Sequence, residues 1–294
     1  MTTRKTKAGP ANRIIKAVSA VFPENHFLQT TEYTVASPKI PAEFDGFRMV
    51  HLSDLHGCNF GTDNRRLLTA VEKAAPDAVV LTGDTADRTT KSYETLFRFL
   101  GNLCAEFPVC AILGNHEQDL SALKRKVLLN GMRARGVYLL DNEDIRLTRG
   151  DRSIRLYGYR LPLRYYRADH RKKARPVLAK ADITAAVGAC SPREYSILLA
   201  HNPLCFEAYA AWGADLTLCG HVHGGMVRLP HFGALLSPER SFFPRFSEGV
   251  YASEKYPDRK MIVSRGLGSG MRIHNLPEIV VLTLRSSRRP GERP

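Results

Sequence analysis

Phe47-Arg48-Met49-Val50-His51-Leu52-Ser53-Asp54-Leu55-His56 opens on bulky apolar residues and closes on a polar cluster. That is the form of a buried strand whose last residues enter a site. The form recurs twice. Ala78-Val79-Val80-Leu81 runs into Gly83-Asp84, and Val109-Cys110-Ala111-Ile112-Leu113 runs into Gly114-Asn115-His116. Between these runs the apolar spacing becomes helical. Residues 64–75 put Leu67, Leu68 and Val71 on one face, with Thr62 or Asp63 as the expected cap and Pro76-Asp77 as the stop. Residues 91–106 carry Tyr93, Leu96, Phe97 and Leu100 at helical spacing, and residues 120–135 read as a basic helix. Strand, site and helix thus repeat three times, with polar groups at the carboxyl ends of strands, as expected of α/β sheets.

After Gly136 the pattern shifts to shorter strands, near residues 137–140, 145–149 and 153–159. Later strands are expected at 195–200, 216–219, 260–264 and 278–284, and a first extended segment at 32–40. Two more polar clusters close apolar runs: Ala200-His201-Asn202 and Gly220-His221-Val222-His223. Alternating elements followed by several late strands predict an α/β fold of two packed sheets with outer helices.

The five clusters together contain Asp54, His56, Asp84, Asn115, His201, His221 and His223. These hard oxygen and borderline nitrogen donors suit manganese, iron or zinc. The i, i+2 spacing of Asp54/His56 and of His221/His223 lets two side chains leave one extended turn toward neighbouring ions. His51 lies inside a strand and matches no ligand position; nor do His26, His170, His231 and His274.

D-x-H, G-D, G-N-H, a lone His and then G-H-x-H is similar to the signature of the calcineurin-like metallophosphoesterases, over about residues 43–285. The late segments Gly220-His221-Val222-His223-Gly224-Gly225, Arg228-Leu229-Pro230 and Ser264-Arg265-Gly266-Leu267-Gly268 resemble its bacterial branch of YkuE-type phosphodiesterases and UDP-2,3-diacylglucosamine pyrophosphohydrolase-like enzymes. The resemblance implies a four-layer α/β/β/α sandwich and two divalent ions, manganese first, with iron or zinc as alternatives. It implies that Asp84 bridges them, that Asp54, His56 and His223 complete one site, and that Asn115, His201 and His221 complete the other. A hydroxide shared by the ions would attack phosphorus in line with the leaving oxygen. His116 would face the substrate and stabilise or protonate the leaving group. Asp87 could orient His116, and Arg228 and Arg265 could reach a substrate phosphate.

The implied reaction is hydrolysis of a phosphodiester or pyrophosphate bond. Gly83-Asp84-Thr85-Ala86-Asp87-Arg88 and Gly114-Asn115-His116-Glu117 also echo Ser/Thr phosphatases, which leaves a phosphomonoesterase as the alternative. Ser53 in place of Gly before Asp54 and the late G-H-V-H-G-G argue against it. A non-catalytic scaffold on the same fold would be expected to lose ligands, and none is lost here.

Length and composition set the frame. A chain of 294 residues with 44% hydrophobic and 24% charged residues is long enough to bury a core without staples. The net charge of +14 points to solubility or to an anionic partner. Basic residues collect at Arg4, Lys5, Lys7, Arg13 and Lys16, and again at Arg160, Arg164, Arg167, Arg171, Lys172, Lys173, Arg175 and Lys180. The organisation expected is a basic arm and first extended segment at 1–42, a catalytic domain at 43–285 and a basic tail at 286–294. Within the domain, residues 160–180 form either a solvated surface segment or a substrate lid with Leu161, Leu163, Tyr165 and Tyr166 interleaved.

The expected partner is a phosphorylated small-molecule or lipid-linked substrate, with the arm docking on anionic membrane. No RNA- or DNA-reading module is visible, so nucleic acid is not the expected partner. Six cysteines without a C-x-x-C pair fit free thiols in a reducing compartment. Residues 14–22 are too short and interrupted by Lys16 for a secretory segment, and no run reaches the roughly 20 apolar residues of a membrane span. A cytoplasmic protein, at most peripheral at the inner face of the membrane, is the expectation.

Overall fold

Met49 and Val50 are neighbours in one strand, yet they belong to different cores. Alternate residues of a strand face opposite sides of the sheet. A strand apolar on both faces must therefore be covered on both. The computed structural model, which describes residues 27–166, 176–225, 227–229, 233–236, 244–268 and 272–287, shows the two covers.

The first half of the chain supplies β1 (Gln29–Ser37), β2 (Arg48–Leu52), α1 (Arg65–Ala74), β3 (Ala78–Leu81), α2 (Glu94–Glu106) and β4 (Val109–Ala111). It continues through α3 (Asn115–Gln118), α4 (Ala122–Arg133), β5 (Tyr138–Leu139), β6 (Glu143–Arg149) and β7 (Arg152–Tyr159). The second half supplies α5 (Lys180–Val187), β8 (Ser196–Ala200), α6 (Phe206–Trp212), β9 (Leu216–Cys219), β10 (Val227–Leu229), β11 (Gly233–Leu236), β12 (Gly249–Ala252), β13 (Lys260–Val263) and β14 (Glu278–Ser286).

One six-stranded sheet has the order β1-β14-β2-β3-β4-β5, and a second has the order β12-β13-β9-β8-β7-β6. Both are mixed. Within the first, β2, β3, β4 and β5 are parallel and β14 runs antiparallel to β2. In the second, β13, β9, β8 and β7 are parallel, with β12 and β6 antiparallel at the edges. β10 and β11 pair separately as a hairpin.

Val50, Val79 and Val109 face Leu67 and Val71 of α1, Leu96, Phe99 and Leu103 of α2, and Leu128 and Met132 of α4. Met49, Val80 and Cys110 face Leu156, Ile197, Leu218 and Ile262 of the second sheet. The other face of that sheet, with Tyr157, Leu198, Cys219 and Met261, meets Ile183 of α5 and Phe206, Tyr209 and Trp212 of α6. The layers are therefore helix, sheet, sheet, helix. At about 25 cal/mol per Å² of apolar surface, three such cores dominate the folding free energy.

Several boundaries differ from the sequence reading. α2 begins at Glu94 rather than near 91, because the Glu94 N–H is taken by the Ser92 hydroxyl (3.2 Å). Neither Thr62 nor Asp63 caps α1; both lie in a short 3-10 turn before it. α4 spans Ala122–Arg133 and is capped by Ser121, which accepts from the Lys124 N–H. β1 pairs along its whole length with β14, so the first sheet begins before residue 43. α5, α6 and the strands β10, β11 and β12 are additions to the sequence reading. All six cysteines are free thiols. No described helix is long and apolar enough to cross a membrane. The basic arm and the residues Arg167, Arg171, Lys172, Lys173 and Arg175 lie outside the described residues.

Candidate metal centre

The parallel strands of both sheets end at one edge. β2, β3 and β4 deliver Asp54, Asp84 and Asn115; β8 and β9 deliver His201 and His221. Backbone hydrogen bonds stitch the loops together there. The Asp54 N–H donates to Gly83 O (3.0 Å), and the His56 N–H to Asp84 O (2.9 Å). Across the gap between sheets, the Leu267 N–H donates to Ser53 O (2.9 Å), and the His221 N–H to Asp54 Oδ2 (3.0 Å).

Five of the seven predicted ligands hold left-handed backbone: Asp54 (φ 54°), His56 (47°), Asp84 (54°), His221 (71°) and His223 (53°). Non-glycine residues rarely adopt this region, and its cost persists where the surroundings over-determine it. Two glycines make the approach possible. A Cβ on Gly114 would lie 2.1 Å from Asp84 Oδ1, and one on Gly220 would lie 2.3 Å from Asp54 Oδ2.

The donor atoms converge. Asp84 Oδ2 is 3.0 Å from His201 Nε2, 3.8 Å from His56 Nε2 and 3.9 Å from His116 Nε2. Asp54 Oδ1 is 3.7 Å from His223 Nε2, 3.8 Å from His201 Nε2 and 3.9 Å from His56 Nε2. Two compact sets result: Asp54, His56 and His223, and Asp84, His201 and His221. His116, whose backbone N–H donates to Asp84 Oδ1 (2.9 Å), follows Asn115 directly on α3 and so carries it to the same place. His56 with Asp87 and His116 forms a third, more exposed set.

The residues fit a metal. His56 Nε2 and Asn115 Oδ1 are buried with no hydrogen-bond partner. Such atoms cost about 1–3 kcal/mol each, a cost that coordination removes. His201 Nδ1 meets the Thr82 carbonyl at 2.7 Å. A carbonyl only accepts, so Nδ1 bears the proton and Nε2 is turned toward the aspartates, the usual backing of a ligating histidine. The two aspartates make the site attractive to positive charge, whether a proton on an imidazole or a metal ion. Burial pushes the Asp84 carboxyl up, but His201, His56 and His116 overcome it and hold it well below the usual range. Burial lowers His201 while Asp84 and Asp54 raise it further, to about 10. Burial takes His223 down to about 3.

Glu117 and Tyr166 were missing from the predicted site. Glu117 is 1% exposed and accepts from the N–H groups of Asp84, Thr85, Ala86 and Gly114, so it fixes both metal-bearing loops. Burial first, then Asp84, pushes it up to about 7. Its signal was present in the Gly114-Asn115-His116-Glu117 quartet. Tyr166 stands edge-on to His221, ring centroids 5.0 Å apart, and no local pattern announced it.

Other expectations change. Asp87 Oδ2 lies 3.9 Å from His56 Nδ1, and no ion pair or hydrogen bond joins Asp87 to His116. Arg228 pairs with Glu248, and Arg265 with Glu248 (3.0 Å) and Glu278 (3.1 Å), so both guanidinium groups brace the late loops. Asn275 supports the same region through hydrogen bonds to the carbonyls of His223 and Gly225 (2.6 Å each).

The model of the calcineurin-like phosphoesterase family matches residues 47–225. The chain belongs to this family. It is a metal-dependent phosphoester hydrolase by that membership. The uncharacterized metallophosphoesterase YkuE of Bacillus subtilis is 30% identical over 271 residues, covering 90% of this chain and 88% of that protein. The phosphodiesterase YaeI of Escherichia coli is 26% identical, covering 81% of this chain and 82% of its own length. The UDP-2,3-diacylglucosamine pyrophosphatase LpxG of Chlamydia trachomatis is 24% identical, covering 88% and 90%.

Proposed function

We propose that this phosphoesterase holds two divalent ions and hydrolyses a phosphodiester or pyrophosphate bond. The observation that carries the reading is the pair of donor sets, Asp54/His56/His223 and Asp84/His201/His221, back to back around two buried aspartates. Asp84, nearest to three histidines, is assigned as the bridge; Asn115 joins His201 and His221 at the second position. Manganese is the first choice, with iron or zinc as alternatives. Bound ions of this kind polarise phosphoryl oxygens and lower the pKa of water.

The chain's own residues do the rest. The buried Asp54 and Asp84 keep the site anionic, and Thr82 fixes the tautomer of His201. His116 is assigned to the leaving group. Its side chain is 43% exposed, against 12% for His56 and 0% for His201, so it is the histidine turned outward.

Support for a diester or pyrophosphate over a monoester comes from space beside the site. A cleft of about 660 Å³ adjoins Leu113 and Gln118, which flank Asn115 and His116. Arg125, Arg160 and Arg164 share its walls with Leu129, Pro162 and Leu163, and with Asp141 and Asp182, which pair with Arg160 (2.8 Å) and Arg164 (4.0 Å). Such a cleft, with both charged pairs and apolar wall, gives room for the second group that a diester or pyrophosphate carries and a monoester lacks. The names of YaeI and LpxG point the same way.

The test is a comparison of bis(p-nitrophenyl) phosphate with p-nitrophenyl phosphate on manganese-loaded protein. A higher kcat/KM on the diester is expected. Preference for the monoester would give the phosphomonoesterase alternative the better claim.

A further inference from the structure

Tyr166 closes the short turn Leu163–Tyr165 that follows β7, and the turn is anchored by Leu161 and Tyr165, both buried. From there its ring enters the metal centre. It stands edge-on to His221 at 5.0 Å and lies 6.0 Å from His201. Its hydroxyl oxygen is buried and has no hydrogen-bond partner among the described residues. Tyrosine is usually placed so that its polar tip finds a partner, and a buried one without any calls for an explanation.

The neighbouring groups offer none. Glu117 is already saturated by backbone and hydroxyl donors. Asp84 Oδ1 accepts from the His116 N–H, and its Oδ2 faces the histidines. The nearby Cys205 and Cys219 are weak partners. A tyrosine hydroxyl carries its proton near neutral pH, so it has an O–H to donate. An unpartnered donor on a ring packed against two histidines of a cation-collecting site suits an anionic oxygen that arrives with the ligand.

We propose that the Tyr166 hydroxyl donates a hydrogen bond to a non-bridging phosphoryl oxygen of the bound substrate. This rests on the phosphoester reading of the site and adds a catalytic residue to it. The bond is charge-assisted and formed in a water-poor site, where such bonds are strongest.

Tyr166→Phe keeps the ring against His221 and removes only the O–H; Tyr166→Leu removes both. Wild type and both variants are loaded with manganese, and three quantities are read: ions per chain, thermal midpoint, and the Kd of inorganic phosphate by calorimetry. Tyr166→Phe is expected to keep the wild-type ions and midpoint and to bind phosphate about 10- to 100-fold more weakly. Tyr166→Leu should be at least as weak. Unchanged phosphate affinity in Tyr166→Phe sinks this proposal alone. Loss of an ion from Tyr166→Phe also overturns it, because the hydroxyl would then be a ligand. A wild type that takes up no metal sinks the phosphoesterase reading, and this proposal with it.

Discussion

Asp84 Oδ2 and His201 Nε2 stand 3.0 Å apart although they come from different sheets, one from the end of β3 and one from the end of β8. The Thr82 carbonyl, two residues before Asp84, accepts from the other nitrogen of the same imidazole. The opposing sheet thus holds this imidazole at Nδ1 and sets its Nε2 against a carboxylate. The strands of the two sheets meet mainly through apolar side chains, which fix distance but not rotation. The polar grip turns a stacked pair of sheets into a site with defined geometry.

Asp84→Asn keeps the shape of this junction and removes its charge. At least one ion should be lost, together with nearly all activity. Removing mere outer-shell partners typically costs 10- to 100-fold, so roughly 100-fold is a floor here. Elemental analysis and kcat on one preparation check this. Two ions retained with ordinary activity would remove Asp84 from the bridge.

His116→Ala should behave differently. The His116 side chain is 43% exposed, against 12% for His56 and 11% for His223, and it meets Asp84 through its backbone N–H and, at 3.9 Å, through Nε2. Both ions should remain. The rate should fall by about 10²–10⁴-fold, the usual worth of positioned proton transfer, and fall least for substrates with good leaving groups. An empty metal position in this variant would contradict the leaving-group role.

Much of this centre was legible in the sequence because its ligands follow strands directly. Asp54, Asp84, Asn115, His201 and His221 all stand within four residues of a strand end, so their clusters can be read from the apolar runs, while their roles as ligands are what the family resemblance implies. What was not legible depends on contacts between distant segments. Tyr166 looks like one more apolar residue in a basic stretch until β7 and its turn carry it over His221. The helices α5 and α6 are only 8 and 7 residues long, too short for periodicity to stand out. The late arginines looked free to meet phosphate because Glu248 and Glu278, which hold them, are far away in sequence from Arg228 and Arg265 respectively.

Glu117 makes a stability prediction. Its carboxylate receives four backbone N–H groups and the Thr85 hydroxyl. Glu117→Gln replaces one acceptor oxygen with an NH₂ that faces donors. Each donor left unpaired costs about 1–3 kcal/mol. A clear drop in thermal midpoint is expected, with weaker metal affinity, since the loops of Asp84 and Asn115 lose their common anchor. An unchanged midpoint and unchanged affinity would show that the carboxylate is dispensable.

His51 sets a pH dependence through its burial. It is fully buried between the sheets, with Nε2 2.8 Å from Thr82 Oγ1, whose own proton goes to Ser53 Oγ (2.8 Å). His51 therefore donates through Nε2, and Nδ1 has no partner. Burial takes its pKa from 6.5 down to about 4. Between those values the unfolded chain binds the proton and the folded chain does not, so stability rises with pH across this window. The contribution is complete above about pH 6.5 and is lost as pH falls through about 4, on the order of 3 kcal/mol in all. His51→Gln keeps an amide donor for Thr82 and removes the titration. Urea unfolding at steps from pH 7 to pH 4, at equal metal content, should give a shallower loss for the variant than for wild type. Parallel curves would mean that the imidazole does not titrate as its burial demands.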